Sequence, residues 1–456
     1  MPIQNQIPGF SQSNFCDKRL DKRFLKIIEE FQKNPQAILS HVIQNSHQCK
    51  AAYRFFNNHQ ISKDKLLKSH HNGLIHFLKS NDGIGEILEI QDTTKCDFTD
   101  HPKTAGMGKL GSKKDNRKGM ECHTSLIVTT DGLALGIGSM DLWSRNEIKG
   151  NGQKNIRKIP IEEKESFKWF KAIDGFDTKN LSNLQRIIIG DREADFYEFT
   201  DFICATDKKM VIRLRWDRKT EDGIMIKEAL KNTKAMGFTK VKIKSKGGIK
   251  TAREEREIEL AVSYSNLTVC APKNIDKSTI HNEKLKLTII HAREVNPENN
   301  EEPLEWYLIT NVEVNDLDDA LKIIRWYSYR WLVEEFHKIL KAGIKIEEAR
   351  LSEKPRLEKL IVFLSVIAVQ ILWMTRVNRI DPEAPVESIL SEDEMEVLLK
   401  HAQKKTQKKI NTVDDAVRYI ANLGGFKGRK SDGNPGLLTL WRGLIKFYDI
   451  MDGYFT

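Results

Sequence analysis

Tyr327, Arg330, Glu334 and Lys341 lie in a stretch from Asp318 to Lys341 that holds neither Gly nor Pro. Apolar positions recur through it at helical spacing, which predicts one amphipathic helix. At roughly 100° per residue the four side chains fall within an arc of about 60°, and Glu335 points about 80° away from Tyr327. A carboxylate flanked by a phenol, a guanidinium and an ammonium can hold a metal ion beside a phosphate. The same residues on a lone helix can equally be a solvated face with an ordinary ion pair, so the partners supplied by the rest of the chain decide.

Two aspartates are candidates for those partners. Ile87–Ile90 is a short strand-like run that ends at Gln91, Asp92, Thr93 and Thr94. Leu184–Ile189 is a continuous apolar strand, of the kind covered on both faces, and it ends in Gly190 and Asp191. Open sheets place functional groups at strand ends. Asp and Thr also start turns, and an aspartate at such a position can simply cap a helix. Two aspartates on neighbouring strands, with a glutamate from a helix packed on the sheet, can hold two Mg²⁺ ions through hard oxygen ligands. Such a pair stabilises the attacking and leaving oxygens of an in-line phosphoryl displacement. His337 lies one turn from Glu334, but no Ser or Cys is placed to make it a nucleophile's base, which leaves it behind the site or facing DNA. GFKGRKS at Gly425–Ser431 lacks the glycine a P-loop needs before its Lys-Ser, so no nucleotide cofactor is predicted.

The elements that must position these residues follow in order. The helix from Asp17 to Lys33 buries Leu20, Phe24, Ile27, Ile28 and Phe31 and lines another face with Arg19, Arg23 and Lys26. A second, around Gln48–Asn57, carries Lys50, Tyr53, Arg54, Phe55 and Phe56. Basic helices of this kind can lie along a DNA backbone, whose phosphates supply most of the affinity; an ordinary charged surface is the equal alternative. Gly106, Gly108 and Gly111 satisfy GxGxxG but lead into Lys113, Lys114, Arg117 and Lys118, which is a basic loop and not a dinucleotide site. His123–Thr129 and Leu133–Ile137 read as a hairpin turning at Asp131 and Gly132, and Gly150–Glu165 as a surface crossing. Helices over Phe167–Ile173 and Phe196–Ala205 flank the second aspartate's strand. Met210–Leu214 is a further strand, with Arg213, Arg215 and Arg218 at its end.

From about residue 219 to 314 the pattern alternates, with Lys240, Lys242 and Lys244 flanking Val241 and Ile243, and Leu304, Trp306 and Leu308 sharing one face. This predicts an antiparallel β insertion. The longest apolar run, Leu360–Met374, is too short and too interrupted by Ser365 and Gln370 to span a bilayer, so the helix over Leu357–Met374 is expected to be a core helix. The tail is helical and bears Lys404, Lys405, Lys408 and Lys409. With 456 residues, 39% hydrophobic and 30% charged, the chain is long enough for about three domains and too apolar to be disordered. A net charge of +10 suits a polyanion such as nucleic acid. The six scattered cysteines argue against a zinc site or a disulfide scaffold and fit a reducing cytoplasm, and the N-terminus lacks a signal-peptide pattern; a cytoplasmic, non-membrane protein is expected.

The chain resembles the bacterial cut-and-paste DDE transposases with the signature Tyr, two residues, Arg, three residues, Glu, six residues, Lys, here Tyr327, Arg330, Glu334 and Lys341. IQDTT (Ile90–Thr94), EKES (Glu163–Ser166), GDREAD (Gly190–Asp195), AYRFFNN (Ala52–Asn58) and LGGF (Leu423–Phe426) extend the resemblance through nearly the whole chain. It implies an α/β fold with an RNase H-like core, a mixed sheet flanked by helices with an antiparallel β insertion, plus helical N- and C-terminal domains. The expected division is 1–70 for DNA-end binding, 71–375 for catalysis and 376–456 for dimerisation.

By the same resemblance Asp92, Asp191 and Glu334 are the catalytic triad and the ligands of two Mg²⁺ ions, with Mn²⁺ as a substitute. Tyr327, Arg330 and Lys341 are expected to grip phosphates, joined by Lys338, Arg213 and Arg215, with Arg19, Arg23, Lys26, Tyr53 and Arg54 on the N-terminal helices. Trp306 matches a tryptophan that stacks on a flipped base, although its strand face, shared with Leu304 and Leu308, can equally be core. The implied activity is cleavage at transposon ends, hairpin formation and strand transfer into target DNA by a homodimer on double-stranded DNA. A non-cutting regulator derived from a transposase, or an RNase H-like nuclease without strand transfer, are the alternatives.

Overall fold

The computed structural model describes residues 8–10, 15–111, 115–145, 159–181, 183–231, 233–243, 256–297, 303–406, 409–429 and 432–455. Lys113, Lys114, Lys244, Lys408, the end of the GFKGRKS stretch and most of the expected surface crossing after Gly150 lie outside the described residues.

Four helices come first: α1 (Lys18–Lys33), α2 (Leu39–Val42), α3 (Ser46–Asn57) and α4 (Lys63–Ser80). Asp17 caps α1 by accepting from the Arg19 amide, and Leu20, Phe24, Ile27 and Phe31, spaced three and four apart, form its buried stripe. A mixed sheet follows, with β1 (Glu86–Asp97), β2 (Gly108–Lys109), β3 (Lys118–Thr129) and β4 (Ala134–Trp143). Next come α5 (Lys168–Asp174), β5 (Gln185–Gly190), α6 (Tyr197–Cys204), β6 (Lys209–Arg213) and α7 (Ile226–Lys231). The alternating region forms β7 (Gly237–Ile243), β8 (Arg256–Cys270), β9 (Lys284–Glu294) and β10 (Glu305–Thr310). The chain closes with α8 (Leu317–Ser328), α9 (Trp331–Lys338), α10 (Lys354–Ile380), α11 (Glu392–Thr406), α12 (Val413–Leu423) and α13 (Leu437–Phe455).

Among the described residues one ten-stranded sheet runs β2-β3-β1-β5-β6-β10-β9-β8-β7, with β4 also on β3. β1, β5 and β6 are parallel; β3 runs antiparallel to β1, and β4, antiparallel to β3, runs the same way as β1. The order β4-β3-β1-β5-β6 with only β3 reversed is the RNase H-like arrangement. The insertion is antiparallel throughout and continues the same sheet, because β10 pairs with β6.

Alternate residues of the central strands enter two different cores. Ile187, Ile189, Val211 and Leu308 pack toward α8, α9 and α10; Ile188, Ile212 and Ile309 pack toward α5, α6 and α7. The helix α10 is long and apolar enough to cross a bilayer by length and composition, yet 89% of its apolar window is buried inside the fold. Phe363 of this helix contacts Phe31, Phe24 and Phe56 of the N-terminal helices.

The expected divisions at 70 and 375 fall inside α4 and α10, and one apolar cluster runs from Phe15 to Phe447, so the N- and C-terminal helices pack on the core of the sheet. One expectation needs correction. The stretch from Asp318 to Lys341 is not one helix. At Tyr329 and Arg330 the backbone amides bond three residues back, to Trp326 and Tyr327, and Ile339–Gly343 is a π-turn whose end is marked by the Ile344 amide bonding to Ile339. Tight turns advance about 120° per residue and π-turns less than 100°, so a face computed for a uniform helix fails at both ends.

Candidate active site

Strand register brings the two aspartates together. Ile90 of β1 is the Cα partner of Ile189 of β5, and it is the last residue of β1 in that pairing. Asp92 and Asp191 stand two residues beyond these partners, so each keeps the facing of its isoleucine, toward α8 and α9. Asp92 is not at the end of β1 as expected. The strand continues to Asp97 because β3 still pairs with it, Asp92 opposite Thr124. Asp191 does follow the last residue of β5, and its Oδ1 accepts from the Glu193 amide at 2.8 Å, capping the short turn Arg192–Ala194.

The third carboxylate arrives from α9. Burial pushes the Asp92 carboxyl up to about 7; the Arg330 guanidinium opposes this, while Asp191 and Glu334 reinforce it. Asp191 and Glu334 therefore lie close enough to Asp92 for their charges to be felt there, with burial the larger cause. Arg330 ion-pairs with Glu334 at 2.6 Å and stacks over Trp331 at 4.9 Å. Among the described residues, no group of three or more Asp, Glu, His or Cys side chains is drawn together so as to hold a metal ion. By donor type the three carboxylates suit a hard divalent cation, being all oxygen and anionic when ionised; to hold one together, Glu334 would have to leave Arg330.

Tyr327 is buried, shares a hydrogen bond with the Arg213 guanidinium, and lies in the field of Arg330 and Asp191. Arg213 is itself tied back by donating to the Glu305 carbonyl at 2.9 Å. Lys341 does not join this group: the π-turn carries it to Glu347 at 3.2 Å and to the Lys95 carbonyl at 2.9 Å. Trp306 is 5% exposed and packs edge-on to Tyr327 at 5.2 Å, so its side chain occupies the core position that its strand face allows. Lys338 and Arg215 are exposed. Arg19, Lys26 and Arg54 are exposed and Arg23 half-buried on α1 and α3, with Arg19 paired to its own cap Asp17. Tyr53 is at the surface, whereas Phe55 and Phe56 are fully buried and unavailable to DNA.

Several supports were invisible in the sequence. His337 is buried with Nδ1 3.8 Å from Asp92 Oδ2 and Nε2 3.2 Å from Thr124 Oγ1, and burial pushes its pKa down to about 3, leaving a neutral imidazole. Behind β1, Arg186 donates to Glu89 through Nε at 3.0 Å and to the Phe176 and Ile173 carbonyls. The second aspartate of GDREAD, Asp195, is 1% exposed and pairs with Arg218 at 2.6 Å. The dense charge in GDREAD was the only hint of that pair.

A mixed sheet presenting two aspartates beneath a glutamate-bearing helix is an arrangement whose carboxylates suit metal-assisted phosphoryl transfer. Comparison with known families narrows it. Residues 8–61 match the transposase DNA-binding family, residues 165–370 the transposase DDE domain, and residues 366–454 the transposase Tn5 dimerisation domain. The three matches in this order support a DDE transposase, a DNA-cleaving enzyme that binds DNA and dimerises. The DDE match includes Asp191 and Glu334 and begins after Asp92. Among solved structures, a piggyBac transposase synaptic complex with hairpin DNA aligns at 9% identity and a TM-score of 0.34, over 96% of this chain and 73% of that one.

Proposed function

We propose that the protein cuts at the ends of a DNA transposon, closes a hairpin on the freed end, reopens it and joins it to target DNA. The observation that carries this reading is the register that sets Asp92 beside Asp191 on the face covered by α8 and α9, with Glu334 near enough to raise the Asp92 proton affinity. Two Mg²⁺ ions, or Mn²⁺ in their place, would be held by Asp92, Asp191 and Glu334 and would supply charge stabilisation to the attacking and leaving oxygens.

The chain's own residues do the rest. Arg330, once its carboxylate partner turns to the cations, has a guanidinium fork for a phosphate. Arg213 and Tyr327 supply further donors beside it. Lys341 reaches phosphate only on leaving Glu347. The exposed basic residues of α1 and α3, Lys26 and Arg54 among them, bind the transposon end, and a second copy of the chain joins through the C-terminal helices.

The test uses a labelled duplex carrying the inverted repeats that flank the coding sequence. Asp92→Ala, Asp191→Ala and Glu334→Ala are each expected to abolish Mg²⁺-dependent nicking while retaining end binding. Full cleavage by any one of them overturns the triad, and nicking without joined products reduces the enzyme to a nuclease.

A further inference from the structure

Trp216 is the one exposed tryptophan of the eight in the chain, with 56% of its surface open. It lies in the loop after β6, at the same sheet edge as Asp191, because β5 and β6 are parallel and end together. An indole left in water beside a phosphoryl-transfer site forgoes burial that most large apolar side chains of this chain obtain.

The loop holding it is braced to the site. The backbone amides of Arg215 and Trp216 both donate to Asp195 Oδ2, at 2.5 and 2.8 Å. Asp195 is fixed in turn by the buried Arg218, which pairs with its carboxylate at 2.6 Å and donates to its carbonyl at 3.2 Å. One short turn, Arg192–Ala194, separates Asp195 from Asp191. The Arg215 guanidinium sits 5.0 Å from the Trp216 ring centroid, so a cation accompanies the ring. Aromatic rings next to arginine bind nucleobases by stacking, with little regard to sequence because every base has a π-face. Trp306, the aromatic suggested by family resemblance, is 5% exposed and packed on Tyr327.

We propose that Trp216, with Arg215 beside it, is a stacking platform for an unpaired base of the DNA strand held at the Asp92–Asp191 site. This rests on the DNA-cleaving reading above. A base taken out of its stack at the cut end loses stacking that must be replaced, and a rigidly mounted, already solvated indole replaces it at no cost in rearrangement.

The test uses full-length protein and a DNA duplex with a one-base overhang of 2-aminopurine, whose fluorescence falls on stacking. Wild type is expected to quench it and to bind it about tenfold more tightly than a duplex with an abasic residue at the overhang. Trp216→Ala should lose both the quench and the tenfold preference, Trp216→Phe should retain most of each, and the abasic duplex should bind wild type and Trp216→Ala alike. Quenching by Trp216→Ala equal to wild type overturns the proposal, as does an equal loss of affinity for the abasic duplex, which would mark a merely structural residue. Because quenching needs no cleavage, it decides the platform even if wild type fails to nick, a failure that would count against the transposase reading alone.

Discussion

The Arg330 guanidinium holds the Glu334 carboxylate at 2.6 Å across one turn of chain, and both lie in the field of Asp92. In the proposed reaction the pair would neutralise the glutamate until a metal ion binds, and Arg330 would become free for a phosphate once the glutamate turns away. Arg330→Ala is therefore expected to lower the cleavage rate by roughly 100-fold, the usual scale for removing one preorganised charge-stabilising group. Thermal stability should change little by comparison. Rates measured at saturating DNA check this, and an unchanged rate would show that Arg330 has no part in the reaction.

Asp92 gives a pH dependence of definite sign. Its folded pKa of about 7 lies above the ordinary aspartate value of 3.8, so the folded state binds the proton more tightly. The contribution is at its most favourable below pH 4, declines as pH rises from about 4 to 7, and is flat beyond. The span corresponds to on the order of 4 kcal/mol. Denaturant melts of metal-free protein should show Asp92→Asn gaining stability relative to wild type over that range. A constant difference between the two from pH 4 to 8 would refute the assignment.

Glu89 of β1 and Arg186 of β5 form an ion pair whose side chains are 0% and 7% exposed, on the same two strands that lead to Asp92 and Asp191. Removing one partner strands a buried charge. Arg186→Met should cost about 3 to 5 kcal/mol, and Arg186→Met with Glu89→Gln should recover part of that loss. Equilibrium unfolding in urea provides the measurement.

Gly443 marks the contact of α12 with α13. A Cβ there would lie 1.9 Å from the Ile420 carbonyl oxygen, a collision with backbone that no rotamer change relieves. Gly443→Ala should destabilise the packing by roughly 1 to 3 kcal/mol and weaken self-association in sedimentation. Glycine at this position is a requirement of close approach, since α13 is otherwise regular.

Much of this molecule is written locally. The Ile-rich run before Asp191 announced a strand covered on both faces, because a strand between two helical layers has no polar face to show. The period-2 residues around Trp306 announced antiparallel strands, and the Asp131–Gly132 turn was legible because the glycine adopts φ +87°, which other residues rarely take. Asp92, Asp191 and Glu334 stood out in the sequence as candidates by type and context. The helix face joining Tyr327 to Lys341 was not, because sequence periodicity assumes uniform winding, while packing tightened the chain at Arg330 and widened it after Lys338. Nor could the sequence tell that the β insertion extends the central sheet, that Phe55 and Phe56 belong to the core of α10, or that Trp306 is enclosed while Trp216 stands open. Those outcomes depend on which surfaces meet across hundreds of residues. The chain by itself determined the chemistry available and the elements that carry it; only the tertiary structure decided the register that sets Asp92 beside Asp191 and the burial that pushes the Asp92 proton affinity up.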